Sequence, residues 1–210
     1  MLFNRPLLPK QLGFKKSRLY KQSRVDFYSG RNKISTLSSL KNIIFRDSLN
    51  APRTESEIVL EQFPFGTNLK ELIRAKGKPK FSITSDGVIP DHKIYFYRVV
   101  VNGVKCIQQF HFFQGQLFFG HVEFRNGNVK LTEQLQQMLA SKYQLDSNDI
   151  NEVVDSNNNS ILISGGITLT ISYFSGLSDM NLAIKKEIEK IESKKSALQH
   201  NNMEKLFDMI

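Results

Sequence analysis

The sequence predicts an α+β fold in two layers, an antiparallel meander sheet packed by helices, and three observations carry that reading. Extended apolar runs between Lys93 and Arg125 are separated by Asn102-Gly103 and Gln114-Gly115, and such pairs close two-residue hairpins. Leu131, Leu135, Met138 and Leu139 recur at helical spacing with Gln134, Gln136 and Gln137 between them. A hydrophobic share of 40% against 23% charged, with 16 Phe and no Trp, describes a chain that buries a core built largely on phenylalanine.

Taken in order, residues 1–53 read as a basic arm. Twelve Lys or Arg stand there against Asp26 and Asp47, a net +10, whereas Thr54 to Ile210 holds seventeen basic and eighteen acidic residues, a net −1. An electrostatic partner is therefore expected at the arm, through Lys10, Lys15, Lys16, Arg18, Lys21 and Arg24, interleaved with Phe14, Tyr20, Phe27 and Tyr28. An acidic protein surface, nucleic-acid phosphates with bases on the rings, and packing onto the body all fit this composition. Within the arm, Ser35 to Phe45 predicts a short helix with Leu37, Leu40 and Ile44 on one face, able to dock on the body.

Residues 54–178 read as the α+β body. Asn68 is the N-cap of a helix with Glu71 three positions on, and Gly77 and Pro79 stop it. Two-residue turns then set the register of three strands: Val99 faces Cys106, which faces Glu123; Tyr97 faces Gln108, which faces His121; Tyr95, Phe110 and Phe119 form the next row on that side. His111 falls on the opposite side. Val129 to Tyr143 predicts the next helix. Short strands follow near Ile150 to Asp155, Ser160 to Ser164 and Ile167 to Phe174, the last two joined at Gly165-Gly166. Residues 179–210 predict a closing helix with a seam of Ile184, Ile188, Ile191 and Leu198, which serves either packing on the sheet or a homodimer; Met203, Leu206, Phe207 and Ile210 repeat the spacing.

Helix followed by meander occurs twice, over 66–127 and 128–177. The run Phe65-Gly66-Thr67-Asn68-Leu69-Lys70-Glu71-Leu72 leading to Gly77-Lys78-Pro79 resembles the opening of BamE/SmpA-like domains, and tandem copies of that unit resemble the architecture of beta-lactamase inhibitory proteins. The resemblance covers residues 65–79 and implies a helix-plus-meander fold and a binding or scaffold role. Outer-membrane members of that family carry a signal peptide and a lipidated cysteine. Neither is read here, so that location is not implied.

One cysteine, Cys106, excludes a disulfide framework within the chain and a multi-cysteine zinc site, and fits a reducing, cytoplasmic setting. An Arg- and Ser-rich, acid-poor start also fits a mitochondrial transit peptide, which makes the matrix the alternative location. No apolar run reaches the roughly 18 residues of a membrane span, so no integral membrane association is expected. Pro6 and Pro9 interrupt any signal-peptide core.

The one enzymatic grouping the register offers is Cys106 diagonal to His121 with Glu123 nearby, since an imidazole beside a thiol raises its thiolate fraction and a carboxylate orients the ring. The competing reading is a half-buried sheet with a polar row of Tyr97, Gln108 and His121. His111 and His121 lie on opposite faces in this register, and His92 and His200 bring no further ligands, so no metal is expected. Gly165-Gly166 lacks the Lys and Ser/Thr of a phosphate loop, and no cofactor is expected. The expectation is a non-enzymatic binding or scaffold module whose basic arm meets an acidic protein. A nucleic-acid accessory protein and a small Cys/His enzyme are the alternatives.

Overall fold

In the computed structural model, which describes residues 23–48, 50–84, 88–101, 103–125, 127–145, 150–166 and 168–207, the chain divides into two compact units, Met1–Asn32 and Lys33–Ile210. Lys10, Lys15, Lys16, Arg18 and Lys21 lie outside the described residues. Arg24 opens α1 (Arg24–Ser29), which Ser23 caps by accepting from Asp26 N at 3.0 Å. The Arg31 guanidinium lies over the Phe27 ring, 3.9 Å from its centroid, and donates to Phe27 O at 3.1 Å.

The second unit begins inside the stretch read from sequence as an arm. α2 (Leu37–Ile44) forms within the expected limits, its start closed by a reciprocal pair in which Ser39 N donates to Thr36 Oγ1 at 3.1 Å and Thr36 N to Ser39 Oγ at 3.0 Å. Ile34 and Leu40 are completely buried, and β1 (Arg53–Thr54) pairs in parallel with a strand a hundred residues on. Packing therefore places residues 33–53 with the body rather than with the arm.

α3 (Leu69–Lys76) and its caps match expectation: Glu71 N donates to Asn68 Oδ1 at 3.0 Å, and Gly77 takes the positive φ of 74° at which a side chain would be strained. Next come β2 (Phe81–Ile83), β3 (His92–Val101), β4 (Val104–Phe113), β5 (Gln116–Phe124), α4 (Val129–Lys142), β6 (Glu152–Asp155), β7 (Ser160–Ser164), β8 (Leu169–Phe174) and α5 (Ser178–Phe207). They form an eight-stranded sheet in the order β1-β6-β7-β8-β5-β4-β3-β2, antiparallel except at β1. The α+β class with an antiparallel sheet is thus the one the chain adopts.

The layering differs from the two layers expected. On one face, Tyr95, Tyr97, Cys106, Phe110, Phe112, Val122 and Phe124 pack with Leu72 of α3, Leu139 of α4 and the Ile58, Leu60 and Phe63 segment. On the other, Phe113, Phe118 and Phe119 pack with Ile34, Leu40 of α2 and Met180, Ile184 and Ile188 of α5. Alternation along phenylalanine-rich strands leaves both faces apolar, so helices cover both. Lys41 of α2 and Glu192 of α5 pair at 2.8 Å across the second layer. Farther along α5, Leu198 and Met203 are exposed.

The first hairpin has the expected register, with Val99 opposite Cys106 and Tyr97 opposite Gln108. The second turn is also two residues long, Gln114 and Gly115 both at positive φ, and Phe113 faces Gln116 as expected. The register then slips. Phe112 faces Leu117, but His111 faces Phe119, which leaves Phe118 as the extra residue of a β-bulge. Beyond it Gln109 faces His121, Ile107 faces Glu123 and Cys106 faces Phe124, so β5 from Phe119 onward is turned over relative to the sequence reading. Phe118 and Phe119 both lie in the second-face cluster.

Candidate functional site

The bulge separates the residues that sequence had grouped for catalysis. Cys106 stays on the first face, buried, its thiol 3.6 Å from Val104 O and its pKa raised by burial. His121 and Glu123 move to the second face, so the Cys106, His121, Glu123 grouping and the row of Tyr97, Gln108 and His121 are not assembled. A buried thiol with a raised pKa holds little thiolate. Cys106 is therefore expected to react with iodoacetamide at neutral pH only as the chain opens, at a rate unchanged by His121→Ala; fast labelling that the substitution abolishes would overturn this.

The same slip brings His111 and His121 onto one face, where His92 joins them. All three are buried, as are Gln109 and Ser172. Lys33 N donates to Gln109 Oε1 at 3.0 Å, and that oxygen lies 3.4 Å from His111 Nε2. An amide oxygen only accepts, so His111 carries its proton on Nε2 and accepts on Nδ1 from His92 Nε2 at 3.1 Å. Among the described residues His92 Nδ1 has no hydrogen-bond partner, and His121 Nδ1 meets Ser172 Oγ at 3.0 Å.

Such an arrangement works with neutral rings. Burial lowers the pKa of His92 to about 4 and, with nearby Lys33, that of His121 to about 3; burial and the two other histidines hold His111 well below the ordinary value. Stacking of His92 on His111 and of His121 on Phe119 makes the group part of the second-face packing. Among the described residues no group of three or more His, Cys, Asp or Glu is placed to hold a metal ion.

What remains of the first-face polar row organises a different site. Gln108 donates through Nε2 to Glu61 Oε1, and Lys76 pairs with Glu61 Oε2 at 2.5 Å. The Lys76 ammonium sits 5.4 Å from the centroids of both Tyr97 and Phe110, with its side chain only 12% exposed. The Tyr97 hydroxyl donates to Gly77 O at 3.0 Å, tying the end of α3 to β3. Glu61 is thus part of a fixed network over the sheet.

This network floors a groove of about 640 Å³ lined by Lys76, Lys78, Lys80 and Arg98, with Glu61 and Val99 among its other walls. Lysine recurs at 76, 78 and 80 along this lining, whereas Arg98, paired with Ile107, projects from the face of β3 opposite Tyr97 and Val99. Lys78, Lys80 and Arg98 are exposed. Sequence reading took Gly77-Lys78-Pro79 as a helix stop and as part of the family resemblance; the recurrence of lysine at 76, 78 and 80 was the available signal. Among the described residues no helix is long and apolar enough to cross a membrane. Comparison of the chain with protein-family models, with curated proteins and with solved structures finds no match.

Proposed function

We propose that the chain is a binding module without chemistry of its own, which engages an acidic partner through cationic surfaces. The observation that carries the reading is the groove at the end of α3, whose lining includes Lys76, Lys78 and Lys80. Concentrated positive charge over a low-dielectric wall attracts and orients anions. Residues 1–32 add eight Lys or Arg against Asp26, and so extend the same preference. One buried thiol suits a reducing compartment such as the cytoplasm.

Two three-stranded meanders, β3-β4-β5 and β6-β7-β8, lie side by side, joined along antiparallel β5 and β8, with α3 and α4 on the same face. A two-fold axis normal to the sheet would relate such halves, which supports a duplicated helix-plus-meander unit of the kind the BamE/SmpA-like resemblance implies.

The test is retention on a dextran sulfate matrix across a salt series, for the full chain, for the double variant Lys78→Gln/Lys80→Gln, and for a chain beginning at Lys33. A start at Thr54 would strip Ile34 and Leu40 from the core. Full-chain binding should weaken steeply with salt, the log-log slope falling by about one for each cation removed from the groove. Equal retention of the double variant would remove the groove from the reading. Absence of retention at low salt would remove the reading itself.

A further inference from the structure

We infer that the cleft between α4, the start of β4 and the end of β5 binds a single-chain amphiphile with an anionic head, a free long-chain carboxylate. It shares no lining residue with the lysine-lined groove, and the inference stands independently of that site. In α4, Leu131, Leu135, Met138 and Lys142 stand at i, i+4, i+7 and i+11, one stripe along the helix. Val104 and Phe124 lie across from them, on the face of the sheet that carries Cys106: Val104 precedes Cys106 by two positions and Phe124 is its cross-strand partner. These six side chains line a cleft of about 740 Å³. Leu139 and Ala140 are buried and hold α4 on the sheet, whereas Met138 is 66% exposed, so the stripe beside them is left open.

The dimensions favour an alkyl chain over a partner helix. From Leu131 to Lys142 the stripe runs for roughly 16 Å, and a helix 10–12 Å across takes up roughly 1,300–1,800 Å³ over that length, about twice the cleft. A single alkyl chain fits within it. Clefts of this size with apolar walls and a few polar groups hold small amphiphilic molecules, and the flexible thioether of Met138 can follow the bends of a chain.

The polar groups set the sign of the head. Lys142 is the one cation of the lining, and no carboxylate lines the cleft. Among the described residues Lys142 makes no ion pair; its ammonium lies 5.0 Å from the Tyr143 ring centroid, a contact that leaves its three N–H groups to donate to oxygen. A full positive charge there outweighs the roughly half negative charge at the C-terminus of α4, so the field at that end attracts an anion. Ser141 beside it adds a hydroxyl.

The experiment is calorimetric titration of the full chain with octanoate, decanoate, dodecanoate and decyltrimethylammonium, each below its micelle concentration, and with vesicles of phosphatidylglycerol. A chain labelled at its methionine methyls is titrated in parallel by NMR, with Met138 identified through Met138→Leu. Affinity should rise about two- to fourfold for each methylene added to the carboxylate, and the Met138 methyl should shift with the same midpoint. Met138→Glu should weaken dodecanoate more than about tenfold, Lys142→Gln about three- to tenfold, and Val129→Glu, which places the same charge on the 75% exposed first residue of α4, less than about threefold. Decyltrimethylammonium binding as tightly as decanoate overturns the anionic head. Equal losses in the two glutamate variants, a Met138 methyl that does not move, binding to vesicles alone, or no binding of any probe overturns the site. Thermal melts separate lost affinity from lost folding, and the NMR titration of the unaltered chain depends on no variant.

Discussion

Asp155→Ala is expected to cost about 3–5 kcal/mol of folding free energy, because the buried carboxylate it removes holds four donors. Asp155 is completely buried at the end of β6. Its Oδ2 accepts from Ile58 N and Asn159 Nδ2, both at 2.9 Å; its Oδ1 accepts from Asn157 N at 2.8 Å and Asn159 N at 2.9 Å. Asn159 in turn accepts from Gly176 N at 2.8 Å through Oδ1. One side chain therefore joins the β6–β7 turn, the segment entering the first-face core and the link from β8 to α5. Alanine leaves these donors unsatisfied in a space too tight for them to rearrange, since even a methyl on Gly176 would collide with the Asn157 and Asn158 backbone. Urea unfolding at neutral pH is the measurement, with an unchanged m-value marking a pure stability effect. Asp155→Asn should lose roughly half as much, as an amide keeps one acceptor and turns a donor toward donors. A loss below about 1 kcal/mol for the alanine variant would show that the junction carries little of the fold.

Acid is expected to melt the second-face layer well above the pH at which carboxylates protonate. His92, His111 and His121 all have folded pKa values below 6.5, so the native state takes up fewer protons than the unfolded chain as pH falls. The sign follows: their contribution is complete above pH 6.5 and is lost on acidification, each histidine removing about 1.4 kcal/mol per pH unit until its folded pKa is reached. For His92 that limit is about pH 4 and for His121 about pH 3. Acting together they give a slope near 4 kcal/mol per unit, enough to exhaust an ordinary domain stability of roughly 5–15 kcal/mol within a few units. Urea unfolding at pH 7, 6 and 5 should report uptake of close to three protons on unfolding at the lowest of these values, and His121→Leu should reduce it by one. Stability that stays level from pH 7 to pH 5 would contradict the neutral, hydrogen-bonded cluster.

The contrast between the two hairpins shows what was legible. Asn102-Gly103 announced a turn, and the alternation beside it set a register that the fold keeps at every pair of β3 and β4. Gln114-Gly115 announced its turn equally well. The slip comes three residues later, at Leu117-Phe118-Phe119, where both faces of the sheet are buried and both demand apolar side chains. Alternation carries no information there. With the slip unseen, the histidines were assigned to opposite faces and the thiol was given a partner it does not have. Asp155 was passed over because its importance depends on Ile58, 97 positions away. The limits of α2, α3, α4 and β7 were readable because caps and periodicity are local. The groove was half visible, as three lysines two apart, while Glu61 and Tyr97 join them only through the fold.

Phe118 also constrains how this sequence can drift. A strand that counts one residue more than its neighbour has an address for every side chain after the extra one, and a single deletion in β5 would readdress all of them. His121 and Glu123 would then enter the layer beneath α3 and α4, while Val122 and Phe124 would be delivered among imidazoles and Ser172. Substitutions can accumulate along such a strand one at a time, but changes of length within it must come in pairs.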